Sequence, residues 1–186
     1  MKEPFLVGEH IYLRGICEED LSGNYFQWLN DYEVSKYTES GRTPNTKEAM
    51  ENYFRQVIGN SNNIAFAVVD KESDRHIGNV KLGPINWVHR CAEFGILIGE
   101  KEYWGKSFGT EATLLLLRYA FQRLNLHKVI LGVCADHAGA IRAYKRVGFR
   151  EEGCLREALF IDGTYRDKLI MGVTAQEFRE KDAGAA

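Results

Sequence analysis

The chain has little of what marks several function classes. Four cysteines, Cys17, Cys91, Cys134 and Cys154, stand far apart. They have neither the density of a disulfide framework nor the spacing of a metal site, and a reducing cytoplasm fits them best. The five histidines are equally dispersed, which leaves metal chemistry without support. With three prolines among 186 residues and no linker or internal repeat, the expectation is one domain over residues 1–180, ending in a disordered tail at 181–186. The start, Met1 to His10, lacks the apolar core of a signal peptide, and no run is long enough to span a bilayer. A net charge of -2 and a pI near 6.2 give no footprint for nucleic acid. The one asymmetry is weak. Residues 1–60 carry ten acids and six bases, leaving 16 acids and 18 bases in the remainder. This fits either a cationic partner near the N-terminal part or a solvated acidic surface.

What is present reads as an alternating α/β chain. His10 to Arg14 alternates as a strand, and Glu18 to Leu29 has acids at its start and apolar residues at helical intervals. Tyr25, Phe26 and Trp28 on that helix fit a core, with a pocket wall as the alternative. Asn30 to Pro44 reads as a long loop, a kind of connection that often carries function. Asn45 with Glu48 resembles a capping box opening a helix to about Ile58. Ile64 to Val69 and Ile77 to Leu82 form a predicted hairpin around Asp70 to Arg75. Cys91 to Ile98 follows as a central strand. A helix from Thr110 presents Leu114, Leu117, Ala120, Phe121 and Leu124 on one face. Lys128 to Cys134 is a buried strand by content, and Ala138 to Val147 a short helix stopped by Gly148. Cys154 to Ile161 and Tyr165 to Val173 make a hairpin about Asp162-Gly163. The strand–helix–strand order predicts that 91–98 and 128–134 pair in parallel through a helical crossover, within a mixed sheet of about seven strands flanked by helices.

The segment Tyr103-Trp-Gly-Lys-Ser-Phe-Gly-Thr-Glu-Ala112 joins the central strand to the long helix. A glycine-containing turn at a helix start gathers unpaired N–H groups and the positive end of the helix dipole, a ready anion site. It is not a P-loop, since Gly105 and Gly109 have the wrong spacing and no Gly-Lys-Ser/Thr follows. Nor is Gly-x-Gly-x-x-Gly present. A hydrolase elbow, Gly-x-Ser-x-Gly, is also missing. Taken alone, the turn could be a tight connection without a ligand.

Three segments together narrow the reading: strand 91–98, the turn Trp104 to Ala112, and Asp136-His-Ala-Gly-Ala-Ile-Arg-Ala-Tyr-Lys-Arg-Val-Gly-Phe149. They resemble the Gcn5-related N-acetyltransferase (GNAT) superfamily, in particular the group that includes ribosomal-protein alanine and spermidine acetyltransferases. The Ala-Ile-x-x-Tyr-x-x-x-Gly-Phe pattern is the specific part, and the resemblance covers most of the chain. It implies a splayed central parallel strand pair that admits acetyl-CoA. It implies that Trp104, Gly105, Lys106, Ser107, Phe108, Gly109 and Thr110 hold the pyrophosphate, and that Leu97, Ile98 and Gly99 pair with the pantetheine arm. His137, where the family commonly has asparagine, and Ala140 lie near the cofactor. Tyr144 takes the family's general-acid position. The turn departs from the family's Gln/Arg-x-x-Gly-x-Gly/Ala at Trp104 and Ser107. If the backbone at Ser107 needs a positive φ, serine is strained there as glycine would not be.

An acceptor amine is protonated at neutral pH, so a base must take a proton and an acid must meet the departing thiolate. Glu93 is the candidate base, since it shares a strand face with Cys91, Gly95 and Leu97. The alternatives for Glu93 are a salt bridge with Arg90 or Arg14, or simple orientation of the amine. Trp28, Asn86 and His89 are weaker candidates for the acceptor pocket. The expected function is direct acetyl transfer to a small amine, amino sugar or protein N-terminus, with no metal, nucleic acid or membrane partner. The other reading is a non-catalytic acyl-CoA-binding regulatory module. Aromatics and edges of the C-terminal hairpin suit a homodimer.

Overall fold

The computed structural model describes residues 2–58 and 60–183. Among them, eight strands form one sheet in the order β1-β2-β3-β4-β5-β6-β8-β7. They are β1 (Leu6–Val7), β2 (Ile11–Gly15), β3 (Ile64–Asp70), β4 (His76–Asn86), β5 (Cys91–Ile98), β6 (Lys128–Cys134), β7 (Arg150–Ile161) and β8 (Thr164–Thr174). Every neighbouring pair is antiparallel except β5 and β6. The eighth strand beyond the expected seven is β1, whose two residues pair with Leu13 and Tyr12 and are too short for any periodicity to register.

The helices are α1 (Glu18–Leu21), α2 (Tyr25–Asn30), α3 (Tyr32–Ser35), α4 (Lys47–Ile58), α5 (Phe108–Gln122), α6 (Ala138–Val147) and α7 (Ala175–Ala183). The single helix expected over Glu18 to Leu29 is broken at Ser22-Gly23-Asn24, where the Gly23 amide turns back to the Asp20 carbonyl at 3.2 Å. The loop 30–44 contains α3 and a short 3₁₀ turn, Glu39–Gly41. Helix α4 is capped by Thr46, whose hydroxyl accepts from the Ala49 amide at 3.1 Å. Asn45 ties down the loop instead, donating to the carbonyls of Leu29 and Ser40. The predicted tail begins inside α7, which extends to Ala183; residues 184–186 lie outside the described residues.

The core lies between the sheet and α5. Ala112, Leu116, Leu117 and Ala120 of that helix are fully buried against Leu13, Val68, Ile77, Val80, Leu82 and Val129. At roughly 25 cal/mol per Å² of apolar surface, each such leucine adds about 1.5–3 kcal/mol, and this face locks α5 to the sheet. A second cluster, Tyr25, Trp28, Leu29, Val34 and Met50, fixes the N-terminal helices over the opposite face at one end. Helix α6 closes at Gly148, with φ of 110° and the Phe149 amide bonded to the Tyr144 carbonyl at 3.1 Å.

Candidate active site

The sheet opens between β5 and β6. Their parallel register runs through Cys91–Lys128 and Ala92–Val129 and stops at Glu93–Ile130. Beyond that rung, β5 continues to Ile98 along β4, and β6 to Cys134 along β8. Each strand is therefore held from its outer side while the gap between them widens.

Backbone direction decides which groups face the gap. The Gly99 amide donates to the Ile77 carbonyl of β4 at 2.9 Å, and hydrogen-bonding direction alternates along a strand. Leu97 and Gly99 are accordingly turned towards β4, while Phe94, Ile96 and Ile98 face the gap. Of the three residues that the resemblance sets against a pantetheine arm, the backbone of Leu97 and Gly99 thus faces β4 and that of Ile98 the gap, as does that of Ile96, which motif matching did not single out. Gly99 has its own reason to be glycine, because a Cβ there would sit 1.9 Å from Cδ2 of Trp28. Trp28 is 4% exposed, and its indole donates to Glu100 at 3.0 Å. It supports β5 from beneath, in the core role, and burial keeps it from an acceptor pocket.

The turn ahead of α5 holds two residues in the left-handed region. Gly105 has φ of 73°, and Ser107, the residue preceding α5, has φ of 67°. Serine therefore occupies a left-handed position, and its side chain makes no cap bond to the helix. The first helical bond is Glu111 N–H to the Ser107 carbonyl, so the amides of Phe108, Gly109 and Thr110 have no partner within the helix. Lys106 is exposed on the turn, whereas the Phe108 ring packs on Tyr103 at 5.0 Å. Trp104 donates its indole N–H to the Ile98 carbonyl at 2.7 Å and pins the turn to the end of β5. A row of N–H groups without helical partners, next to a strand whose gap-side backbone is bonded, among the described residues, only by Trp104 at Ile98, fits the pyrophosphate and amide arm of coenzyme A.

Tyr144 lies on α6 with its ring against Phe94 at 5.9 Å and Phe149 at 5.8 Å. Among the described residues its hydroxyl makes no hydrogen bond, and burial pushes its pKa up to about 12. Ala140 packs against the same core. His137 begins α6 without capping it, and its ring stacks on Tyr37 at 4.4 Å. Burial, and then the neighbouring Lys36, push the His137 pKa down. Tyr37, contributed by the long loop, thus packs beside the start of α6. Its only sequence signal was that loop's length. A second tether from the same segment joins the Tyr32 hydroxyl to the Asp162 carboxylate.

Glu93 is exposed on the sheet face opposite Phe94. Neither foreseen salt bridge forms: Arg14 is bonded to Asp20 at 2.6 Å, and Arg90 donates to Asn125 at 3.3 Å. Among the described residues Glu93 has no ion pair or hydrogen bond. Asn86 and His89 sit at the opposite end of β5 from the anion turn, where the Asn86 side chain accepts from the His89 amide at 2.9 Å. They shape the β4–β5 turn. Among the described residues no group of three His, Cys, Asp or Glu could hold a metal ion, and no helix is long and apolar enough to cross a membrane.

The acetyltransferase (GNAT) domain family matches residues 10–150. The chain belongs to this family. It is 38% identical over 131 residues to a spermidine N(1)-acetyltransferase of Vibrio cholerae, covering 70% of this chain and 75% of the relative. A spermidine N(1)-acetyltransferase of Escherichia coli K12 is 42% identical over 101 residues, 54% of each chain. The crystal structure of spermidine N-acetyltransferase from Vibrio cholerae in complex with CoA and spermine superposes with a TM-score of 0.84 at 31% identity, covering 92% of this chain and 99% of the other. The GNAT fold carries acetyl-CoA-dependent N-acetyl transfer to a primary amine, and this chain is such an enzyme. The regulatory-module alternative is set aside.

Proposed function

We propose that this acetyltransferase acts by direct transfer to a small primary amine, with Glu93 as base and Tyr144 as acid. The observation carrying the proposal is the interrupted β5–β6 register, with an unpartnered carboxylate at its last rung and an unpartnered tyrosine hydroxyl beside Phe94. Bound acetyl-CoA supplies the acetyl thioester. The gap-facing backbone of Ile96 and Ile98 would align the amide arm, and the amides of Phe108 to Thr110 would hold the phosphates. Glu93 takes a proton from the acceptor ammonium, so that its nitrogen lone pair can form the C–N bond. As the C–S bond breaks, Tyr144 gives its proton to the sulfur, and the second proton shed by the acylated nitrogen restores the phenol. No covalent enzyme intermediate is required. The named substrates of the relatives, spermidine and spermine, support a small-amine acceptor over a protein N-terminus.

The four free cysteines support a cytoplasmic location. Exposed Leu155, Phe160 and Tyr165 on the β7–β8 hairpin support a homodimer contact there. Thiol release from acetyl-CoA, measured across a panel of primary amines, tests the activity. Saturable acetyl-CoA binding with no release for any amine would count decisively against it.

A further inference from the structure

Beyond the Glu93–Ile130 rung, the next two positions on the Glu93 face are Gly95 of β5 and Gly132 of β6, and a lysine lies over each. Lys81 is the β4 partner of Gly95. A Cβ added to Gly95 would meet the Lys81 stem, with its Cε 3.3 Å away. Lys168, the β8 partner of Cys134, leans back across Gly132. A Cβ there would lie 2.1 Å from Lys168 Cε and 3.0 Å from its Nζ. Paired residues share a sheet face, so Lys81, Glu93 and Lys168 all look onto the same mouth of the gap.

Both lysines are partly buried, and among the described residues neither has an ion pair or a hydrogen bond. Two other cations nearby are neutralised locally, Lys128 by Glu152 at 2.7 Å and Arg166 by Asp136 at 3.1 Å. Two lysine stems lie over bare backbone on either side of one carboxylate, Lys168 with its Nζ close above Gly132, and together they form a cradle of mixed sign. A polycationic acceptor would gain from Glu93 and be repelled twice. An acceptor with an oxyanion near its amine would satisfy all three groups, and charge complementarity of this kind sets specificity. The same positive field favours the neutral, attacking form of the amine.

We propose that the acceptor is a primary amine carrying a carboxylate or phosphate a few atoms from the nitrogen, the amine directed to Glu93 and the oxyanion held by Lys81 and Lys168. This rests on the transferase reading above and names its substrate class. Any acidic acceptor of that chemistry, an amino acid or a phosphorylated amine, would fit, and the panel below separates them.

The test compares kcat/KM for β-alanine and O-phosphoethanolamine with that for ethanolamine, 1,3-diaminopropane and spermidine, using the intact enzyme and acetyl-CoA. At least one anionic amine should exceed ethanolamine and spermidine by about 10-fold or more. Lys81→Met and Lys168→Met keep the apolar stems over the glycines, and each should cut the anionic-to-neutral preference by about 10-fold, chiefly through KM. Lys168→Arg should retain the preference, which a merely structural role for the stem would not predict. Spermidine or diaminopropane equalling the anionic amines would overturn the proposal while leaving the transferase intact. A preference that survives Lys81→Met/Lys168→Met would also overturn it. Absence of thiol release with every amine would remove the transferase reading, and this one with it.

Discussion

One face of the sheet carries two charge clusters built on opposite terms. At the end covered by α1 and α2, Arg14 grips Asp20 through two bonds of 2.6 and 2.7 Å, the Cys17 amide adds a third at 2.9 Å, and His76 Nδ1 approaches at 3.2 Å. Asp20 is only 6% exposed, yet each of its oxygens has a donor. At the uncovered end, exposed Glu93 and half-buried Lys81 and Lys168 have no partners of their own among the described residues. A charge removed from water must be paired or it costs several kcal/mol, whereas one left in water can stay unpaired cheaply. The first cluster is therefore architecture, and the second is available to a ligand.

The largest effect should come from breaking the closed cluster. Arg14→Met leaves a buried carboxylate with one cation-capable neighbour, and the expected loss is about 3–5 kcal/mol of folding stability, read by urea unfolding. The pH dependence has a definite sign. Burial alone would raise the Asp20 pKa, but the bonds from Arg14 and His76 outweigh it and hold the group below the usual carboxylate range. Its contribution is then complete above the unfolded carboxylate pKa of about 3.9 and is lost as pH falls through the lower folded value. Arg14→Met should flatten that acid limb. A variant as stable as the parent would mean that the network is incidental.

Changes at the open site should leave stability alone and move activity. Tyr144→Phe removes a hydroxyl without a protein partner and should lower kcat by about 10²–10⁴-fold, with acetyl-CoA affinity nearly unchanged. Because burial pushes this pKa up to about 12, the acid keeps its proton across the assay range, and no decline in kcat between pH 7 and 10 should trace to it. Glu93→Gln should cost about 10–100-fold and change the pH–rate profile. An unchanged profile would leave Glu93 as an orienting group only.

The contrast also marks how far the chain could be read unaided. Elements with their own periodicity were legible: Lys128–Cys134 as a buried strand, α6 with its Gly148 stop, and the parallel crossover that α5 makes. The turn that opens α5 and the helix that carries Tyr144 followed from the sequence pattern. Register was not legible, because it depends on residues far apart in sequence. Nothing near Leu97 or Gly99 says that their amides face β4, and nothing near Lys168 says that its stem crosses Gly132. Pairing was equally hidden: Arg14 was as plausible a partner for Glu93 as for Asp20 until the fold brought α1 over β2. The break at Ser22-Gly23-Asn24 was a local signal outweighed by the apolar spacing on either side.

The smallest effect expected is at Ser107, and it separates backbone from side chain. A non-glycine residue in the left-handed region costs roughly 1–2 kcal/mol, while glycine forfeits about 0.5–1 kcal/mol through its freer unfolded chain. Ser107→Gly should therefore change stability by no more than about 1 kcal/mol, towards stabilisation. Ser107→Ala keeps the strain and deletes only the hydroxyl, which caps nothing in α5. If that hydroxyl serves the cofactor phosphate, both variants raise the acetyl-CoA dissociation constant by similar factors of a few-fold. If serine is merely tolerated, Ser107→Ala leaves cofactor affinity unchanged and Ser107→Gly improves it slightly, since the turn then reaches its phosphate-binding shape without strain. Equal weakening would make Ser107 a binding residue of the turn and not simply a departure from the glycine usual there.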